Sequence, residues 1–103
     1  LTNNEVETIQ PEQLEEMLRN HEDVSVIDVR ETDEVTNGKI PQAVHIPLGD
    51  IPEHYQELNP SKDYVIVCRS GRRSELAARF LQENGFHAIN MEGGMLKWRG
   101  ETK

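Results

Sequence analysis

The stretch Tyr64-Val-Ile-Val-Cys68-Arg-Ser-Gly-Arg-Arg73-Ser-Glu-Leu-Ala-Ala-Arg-Phe80 leaves this chain little freedom of fold. An apolar run stops at the only cysteine, passes through a short loop with three arginines around a glycine, and restarts with apolar residues at helical spacing. That order reads as strand, loop and helix. A thiol at the end of a buried strand, just before a helix, faces unpaired backbone N–H groups and the positive end of the helix dipole. Both favour an anion, and thiolate is the nucleophilic form of cysteine.

The flanking sequence continues the alternation. Val6 to Ile9 forms a short first strand. Pro11 suits the first position of a helix, with Gln13 and Leu14 third and fourth and Ile9 stapling onto Leu14. Leu14, Met17 and Leu18 make its apolar stripe; Glu12, Glu15 and Glu16 are its solvated face, and Asn20 ends it. Val24 to Val29 is a compact apolar run, as in an interior strand covered on both faces. Thr32 caps a short helical turn, with Asp33 and Glu34 at its positive end.

Asn37-Gly38 is a turn, Ala43 to Ile46 a short strand, and Ile51 to Leu58 one or two helical turns. Lys62 to Val67 is the next strand. The helix from about Arg73 to Asn84 puts Leu76, Ala77, Phe80 and Leu81 on one face, with Gly85 at C′. Phe86 to Met91 is the last strand. Glu92-Gly-Gly94 turns the chain into a final helical turn from Met95 to Arg99, with Trp98 packed in the core. The expected fold is α/β: one small domain over residues 1–103, loose at 1–5, with a largely parallel sheet of about five strands flanked by helices.

Composition narrows the partners. No apolar run approaches the ~20 residues of a membrane span, and no basic-then-apolar segment reads as a signal peptide. One cysteine forms no internal disulfide, so a cytoplasmic location is expected. The net charge of −8 is uneven, with −9 in residues 1–34 and +3 between Cys68 and Arg79. An acidic body argues against nucleic acid, whereas a local basic spot suits a small anionic ligand. Monomer is the default.

Four groups of residues carry the candidate chemistry. Gly71 allows the loop to curl and turn successive N–H groups inward as an anion nest. Arg69, Arg72 and Arg73 crowd together at a cost unless exposed or paired with anions. Asp28 and Arg30 follow a strand end, where ligands of open α/β sheets gather, and are expected to support the site by tying loops together. His45 is expected to be a structural hydrogen-bonding group, although a dyad with Cys68 stays open. A buried, inert Cys68 is the bland alternative. No Gly-x4-Gly-Lys-Ser/Thr phosphate loop occurs, and one cysteine with histidines at 21, 45, 54 and 87 has no zinc-ligand spacing. No metal and no cofactor are expected.

The order Val26-Ile-Asp28-Val-Arg30, Gly38-Lys-Ile-Pro-Gln-Ala43, His45-Ile-Pro-Leu48, Cys68-Arg-Ser-Gly-Arg-Arg73-Ser74-Ala77-Ala78 and Glu92-Gly-Gly-Met-Leu-Lys-Trp98 resembles the single-domain rhodanese family of sulfurtransferases. The resemblance runs through almost the whole chain. It implies that Cys68 takes a sulfane sulfur from thiosulfate or a similar donor, holds it as a persulfide, and passes it to cyanide or a thiol. It further implies that Arg69, Ser70, Gly71, Arg72 and Arg73 form the loop around the terminal sulfur, supported by Ser74, and that Arg73 orients the loop or docks the anionic donor. Lys39, Gln42 and Val35 or Thr36 depart from the family pattern and bear on acceptor specificity.

Three activities follow from these residues. The first is a sulfurtransferase enzyme, and the second a persulfide relay serving a protein thiol. The third is a cysteine phosphatase or arsenate reductase, which related folds build on a longer Cys-x5-Arg loop. Here Arg73 comes one place too early and the sixth residue after Cys68 is Ser74.

Overall fold

Pro11 starts the first helix, α1 (Pro11–Arg19), because its ring presets the helical φ and its missing N–H is not needed there. Gln13 reaches back to the Gln10 N–H at 2.9 Å, and Asn20 caps the other end. In this computed structural model, which describes residues 5–103, the preceding strand is β1 (Glu7–Ile9). The expected looseness of residues 1–5 lies outside the described residues except at Glu5, whose carbonyl accepts from Gln82 Nε2 at 3.4 Å.

The remaining elements are β2 (Ser25–Asp28), α2 (Thr32–Val35), β3 (Ala43–His45), α3 (Ile51–His54), β4 (Asp63–Val67), α4 (Arg72–Glu83) and β5 (His87–Met91). Single 3₁₀ turns lie at Leu48–Asp50, Tyr55–Glu57 and Gly94–Lys97. Five strands form one sheet in the order β1-β5-β4-β2-β3, every pairing parallel. The α/β expectation holds, and the sheet is parallel throughout. Among the described residues, no helix is long and apolar enough to cross a membrane.

Strand alternation decides which helix covers which face. Tyr64, Ile66 and Cys68 point to one side, where Ala77, Ala78 and Leu81 of α4 and Ile51 of α3 meet them. Val65 and Val67 point to the other, with Leu14 of α1, Ile40 and Met91. Trp98 is half-buried against this second cluster, as expected of a packing residue. Because β4 lies between β2 and β5, its carboxyl end is flanked by the ends of both. That position is where connections leave the sheet in opposite directions and a crevice opens.

Two local expectations are corrected. Thr32 does not cap α2: Glu31 holds the cap, and its N–H donates to Glu34 Oε1 at 2.9 Å, so Thr32 is the first helical residue. Leu76 does not face the core but is 60% exposed. Small residues at Ser74, Ala77 and Ala78 let α4 lie close on the sheet, and that rotation turns Leu76 outward. Phe80 keeps partial burial by packing edge-on against Tyr55, with ring centroids 5.2 Å apart.

Candidate functional site

The loop expected to hold an anion is built from β4, the N-terminus of α4 and a backing turn. Cys68 follows β4 directly and is 0% exposed. Gly71 has φ of +102° and forms the N-cap of α4, a conformation that costs other residues ~1–2 kcal/mol. This turn brings two backbone donors onto the sulfur: the Gly71 N–H at 3.1 Å and the Ser74 N–H at 3.3 Å. Ser74 Oγ lies 3.3 Å from the same sulfur. Burial pushes the Cys68 thiol up, but the Ser74 hydroxyl and the Ser74, Gly71 and Ser70 N–H groups outweigh it, and the thiol ends below its ordinary value. Such a sulfur is prepared to carry negative charge.

The turn through Gly93 and Gly94 backs the loop. Met95 N–H donates to the Cys68 carbonyl at 2.8 Å and Leu96 N–H to the Arg69 carbonyl at 3.0 Å. Both loop carbonyls are thereby turned away from the sulfur and satisfied, leaving the N–H face for an anion. Gly94 sits at this junction, φ +62°, against the Cys68 and Arg69 backbone.

Three arginines of the loop part company. Arg69 and Arg72 are exposed. Arg73 forms a two-pronged pair with Glu34, Nη1 to Oε1 at 2.7 Å and Nη2 to Oε2 at 2.8 Å. The Arg73 guanidinium holds the Glu34 carboxyl well down, at about 2, and Glu34 in turn raises Arg73. Its fork is occupied by Glu34 of α2. Arg73→Ala is expected to leave the fold intact and to slow sulfur loading on the order of tenfold, through a loosened loop and a lost cation beside the sulfur. Unchanged loading kinetics would remove Arg73 from the site.

The same pair sets an acid limit. The Glu34 pKa is depressed from 4.5 to about 2, so its contribution is complete above 4.5 and disappears as pH falls through about 2. With side chains 32% and 25% exposed, the pair is worth only ~1 kcal/mol. Glu34→Gln should therefore lower the denaturation midpoint near neutral pH, and the gap from the unsubstituted protein should close at about pH 2.

Asp28 and Arg30 form a buried pair beside the loop, not part of its sulfur contacts. Arg30 Nη2 donates to Asp28 Oδ2 at 2.8 Å and to the Gly38 carbonyl at 2.8 Å. His45 Nε2 meets the Arg30 carbonyl at 2.7 Å, and none of its described contacts reaches Cys68. All three tie the β2, β3 and α2 connections together. Lys39 Nζ donates to the carbonyls of Ile40, Pro41 and Ala43, the last at 2.9 Å, so this departure from the family pattern stabilises its own turn. Gln42 lines a depression with Glu15, Leu18 and Trp98, away from the Cys68 loop.

Two residues that sequence reasoning did not single out complete the surroundings of Cys68. Glu34 was read only as an acid at a helix start. Asn90 lies inside an apolar strand, where a polar residue on the α4-facing side was the available signal. Ser74 Oγ donates to Asn90 Oδ1, and Asn90 Nδ2 donates to the Gly71 carbonyl at 3.1 Å.

The family model for the rhodanese-like domain matches residues 10–101. YtwF of Bacillus subtilis, a candidate sulfurtransferase by name, is 50% identical over 99 residues, covering 96% of each chain. The thiosulfate sulfurtransferase GlpE of Pseudomonas syringae is 30% identical over 92% of this chain and 89% of its own. A rhodanese-like domain protein of Staphylococcus aureus superposes with a TM-score of 0.87 at 36% identity, over 93% of this chain and 94% of that one. A parallel five-stranded sheet with its cysteine loop at the β4 end, matched along nearly the whole sequence, means that this chain belongs to the rhodanese-like domain family.

Proposed function

We propose that this protein is a rhodanese-type sulfurtransferase that carries sulfane sulfur on Cys68. The observation that carries the reading is the pair of backbone donors, Gly71 N–H and Ser74 N–H, aimed at Cys68 Sγ inside a short loop closed by Arg73. The names of relatives support sulfur transfer, and that of the Pseudomonas relative supports thiosulfate as the donor class.

In the first half-reaction the Cys68 thiolate attacks the outer sulfur of thiosulfate. An S–S bond forms at Sγ, the bond to the sulfonyl sulfur breaks, and sulfite leaves with the electron pair. The persulfide keeps one negative charge on its terminal sulfur, where loop N–H donors and the N-terminus of α4 stabilise it, the dipole alone by ~0.3–1 kcal/mol at an exposed site. In the second half-reaction cyanide or a thiolate attacks that terminal sulfur, and Cys68 thiolate is the leaving group. Exposed Arg69 and Arg72 offset the repulsion between thiolate and an incoming anion. The four residues between Cys68 and Arg73 make a smaller cradle than a phosphatase loop, suited to a sulfur atom rather than a tetrahedral phosphate.

Intact-mass analysis after incubation with thiosulfate tests this. One sulfur is gained and then removed by cyanide. Absence of the adduct counts against a thiosulfate-using enzyme, and hydrolysis of an aryl phosphate that disappears in Cys68→Ser would favour the phosphatase instead. Steady-state thiocyanate production separates an enzyme from a stoichiometric relay to a protein thiol.

A further inference from the structure

Ser74 Oγ carries a single hydrogen, and two neighbours compete for it. On one side lies Cys68 Sγ at 3.3 Å. On the other lies Asn90 Oδ1 in a short contact. The orientation of the Asn90 amide is not free, because Nδ2 donates to the Gly71 carbonyl at 3.1 Å and leaves Oδ1 as the acceptor. With the Ser74 hydrogen on Asn90, the hydroxyl presents only lone pairs to sulfur. A protonated Cys68 matches that state, since its S–H then donates to Ser74 Oγ.

A thiolate does not match it. Once the S–H proton is lost to solvent, Sγ and Oγ would face each other with lone pairs only. The hydroxyl keeps its own hydrogen and must rotate it from Asn90 Oδ1 to Sγ, exchanging one hydrogen bond for another. Ser74, Asn90 and Gly71 are all buried, so water does not readily take the place of the lost partner.

We infer that Asn90 is a positioning residue that holds the Ser74 hydroxyl away from Cys68 in the thiol state, making rotation of that hydroxyl a cost of forming the thiolate. Nδ2, by donating to the Gly71 carbonyl at 3.1 Å, holds the amide with Oδ1 toward Ser74. Asn90 thus restrains a buried loop thiol from ionising prematurely and releases the hydroxyl when sulfur bears charge. This rests on the reading of Cys68 as the sulfur carrier for its functional meaning, though not for its proton geometry.

The charged groups around the cradle are Arg69, Arg72, Arg73 with Glu34, and Glu75 and Glu92 beside Asn90. None changes in the variants below. The pH dependence of Cys68 alkylation by iodoacetamide reads the thiol directly. In Asn90→Leu, which is close to isosteric, and in Asn90→Ala, the midpoint is expected about 1 pH unit lower than in the unsubstituted protein, because Ser74 is free to donate to sulfur. In a Ser74→Ala background the same Asn90 substitutions should leave the midpoint where Ser74→Ala alone puts it.

An unmoved midpoint in both Asn90 variants would overturn the inference, and so would an equal shift with and without Ser74. Sulfur loading by intact mass, run on the same samples, keeps the two readings apart. Loading without the midpoint shift removes the role of Asn90 alone. A shift without loading in the unsubstituted protein removes thiosulfate transfer and leaves the hydroxyl geometry standing.

Discussion

Cys68→Ser is expected to take up no sulfur from thiosulfate and to form no thiocyanate, while remaining folded. The serine hydroxyl would occupy the same position, with Gly71 N–H and Ser74 N–H still available to it. Those donors stabilise a charge that is present; they do not make an alcohol ionise near neutral pH as they do a thiol. Oxygen also cannot form the S–S bond that stores sulfane sulfur between half-reactions. The loss is therefore complete rather than graded. Stability should fall by only ~1–2 kcal/mol, since the incoming hydroxyl has partners in a site that is otherwise buried. Intact mass and a denaturant melt measure the two quantities on one sample. A sulfur adduct on Cys68→Ser would move the carrier role elsewhere in the chain.

Gly94→Ala has the largest effect expected of any substitution outside the sulfur itself. A Cβ there would lie 2.5 Å from the Arg69 carbonyl carbon and 2.6 Å from the Cys68 carbonyl oxygen. These are backbone atoms and cannot swing aside as a side chain would. The residue also has φ of +62°, which alanine adopts at a cost of ~1–2 kcal/mol. Relief requires the turn to move off the loop, which lengthens the Met95-to-Cys68 and Leu96-to-Arg69 hydrogen bonds together.

We expect a destabilisation of ~2–4 kcal/mol and a fall in sulfur loading of more than about tenfold. Gly49→Ala is the control, because nothing lies within 4 Å of a Cβ at that position. Equal melting curves for the two variants would show that the turn does not brace the loop.

Some of this architecture is legible locally. The apolar run of β4, the glycine at Gly71 and the helical spacing of Ala77, Ala78 and Leu81 specify a strand, a tight turn and a helix whatever surrounds them. The unbroken apolar run along β4 already implies that both of its faces are covered, and Pro11 and Asn20 mark the ends of α1. Where local signals compete, the reading drifts. Thr32 is a good cap in isolation, yet Glu31 and Glu34 satisfy the α2 start, and Glu34 is held in that place from outside by Arg73.

What the sequence determined alone is the set of elements and the position of Cys68 at a strand end before a helix, because backbone periodicity and glycine conformations are short-range properties. Tertiary structure decided who meets that cysteine. Glu34 and Arg73 are 39 residues apart, and Ser74 and Asn90 are 16 apart. Their contacts exist only after β5 pairs with β4 and α2 folds toward the start of α4. The rotation that exposes Leu76 is likewise set by how closely α4 lies on the sheet. Long-range pairing fixes side-chain partners, and those partners settle which arginine is tied and where the Ser74 hydrogen points.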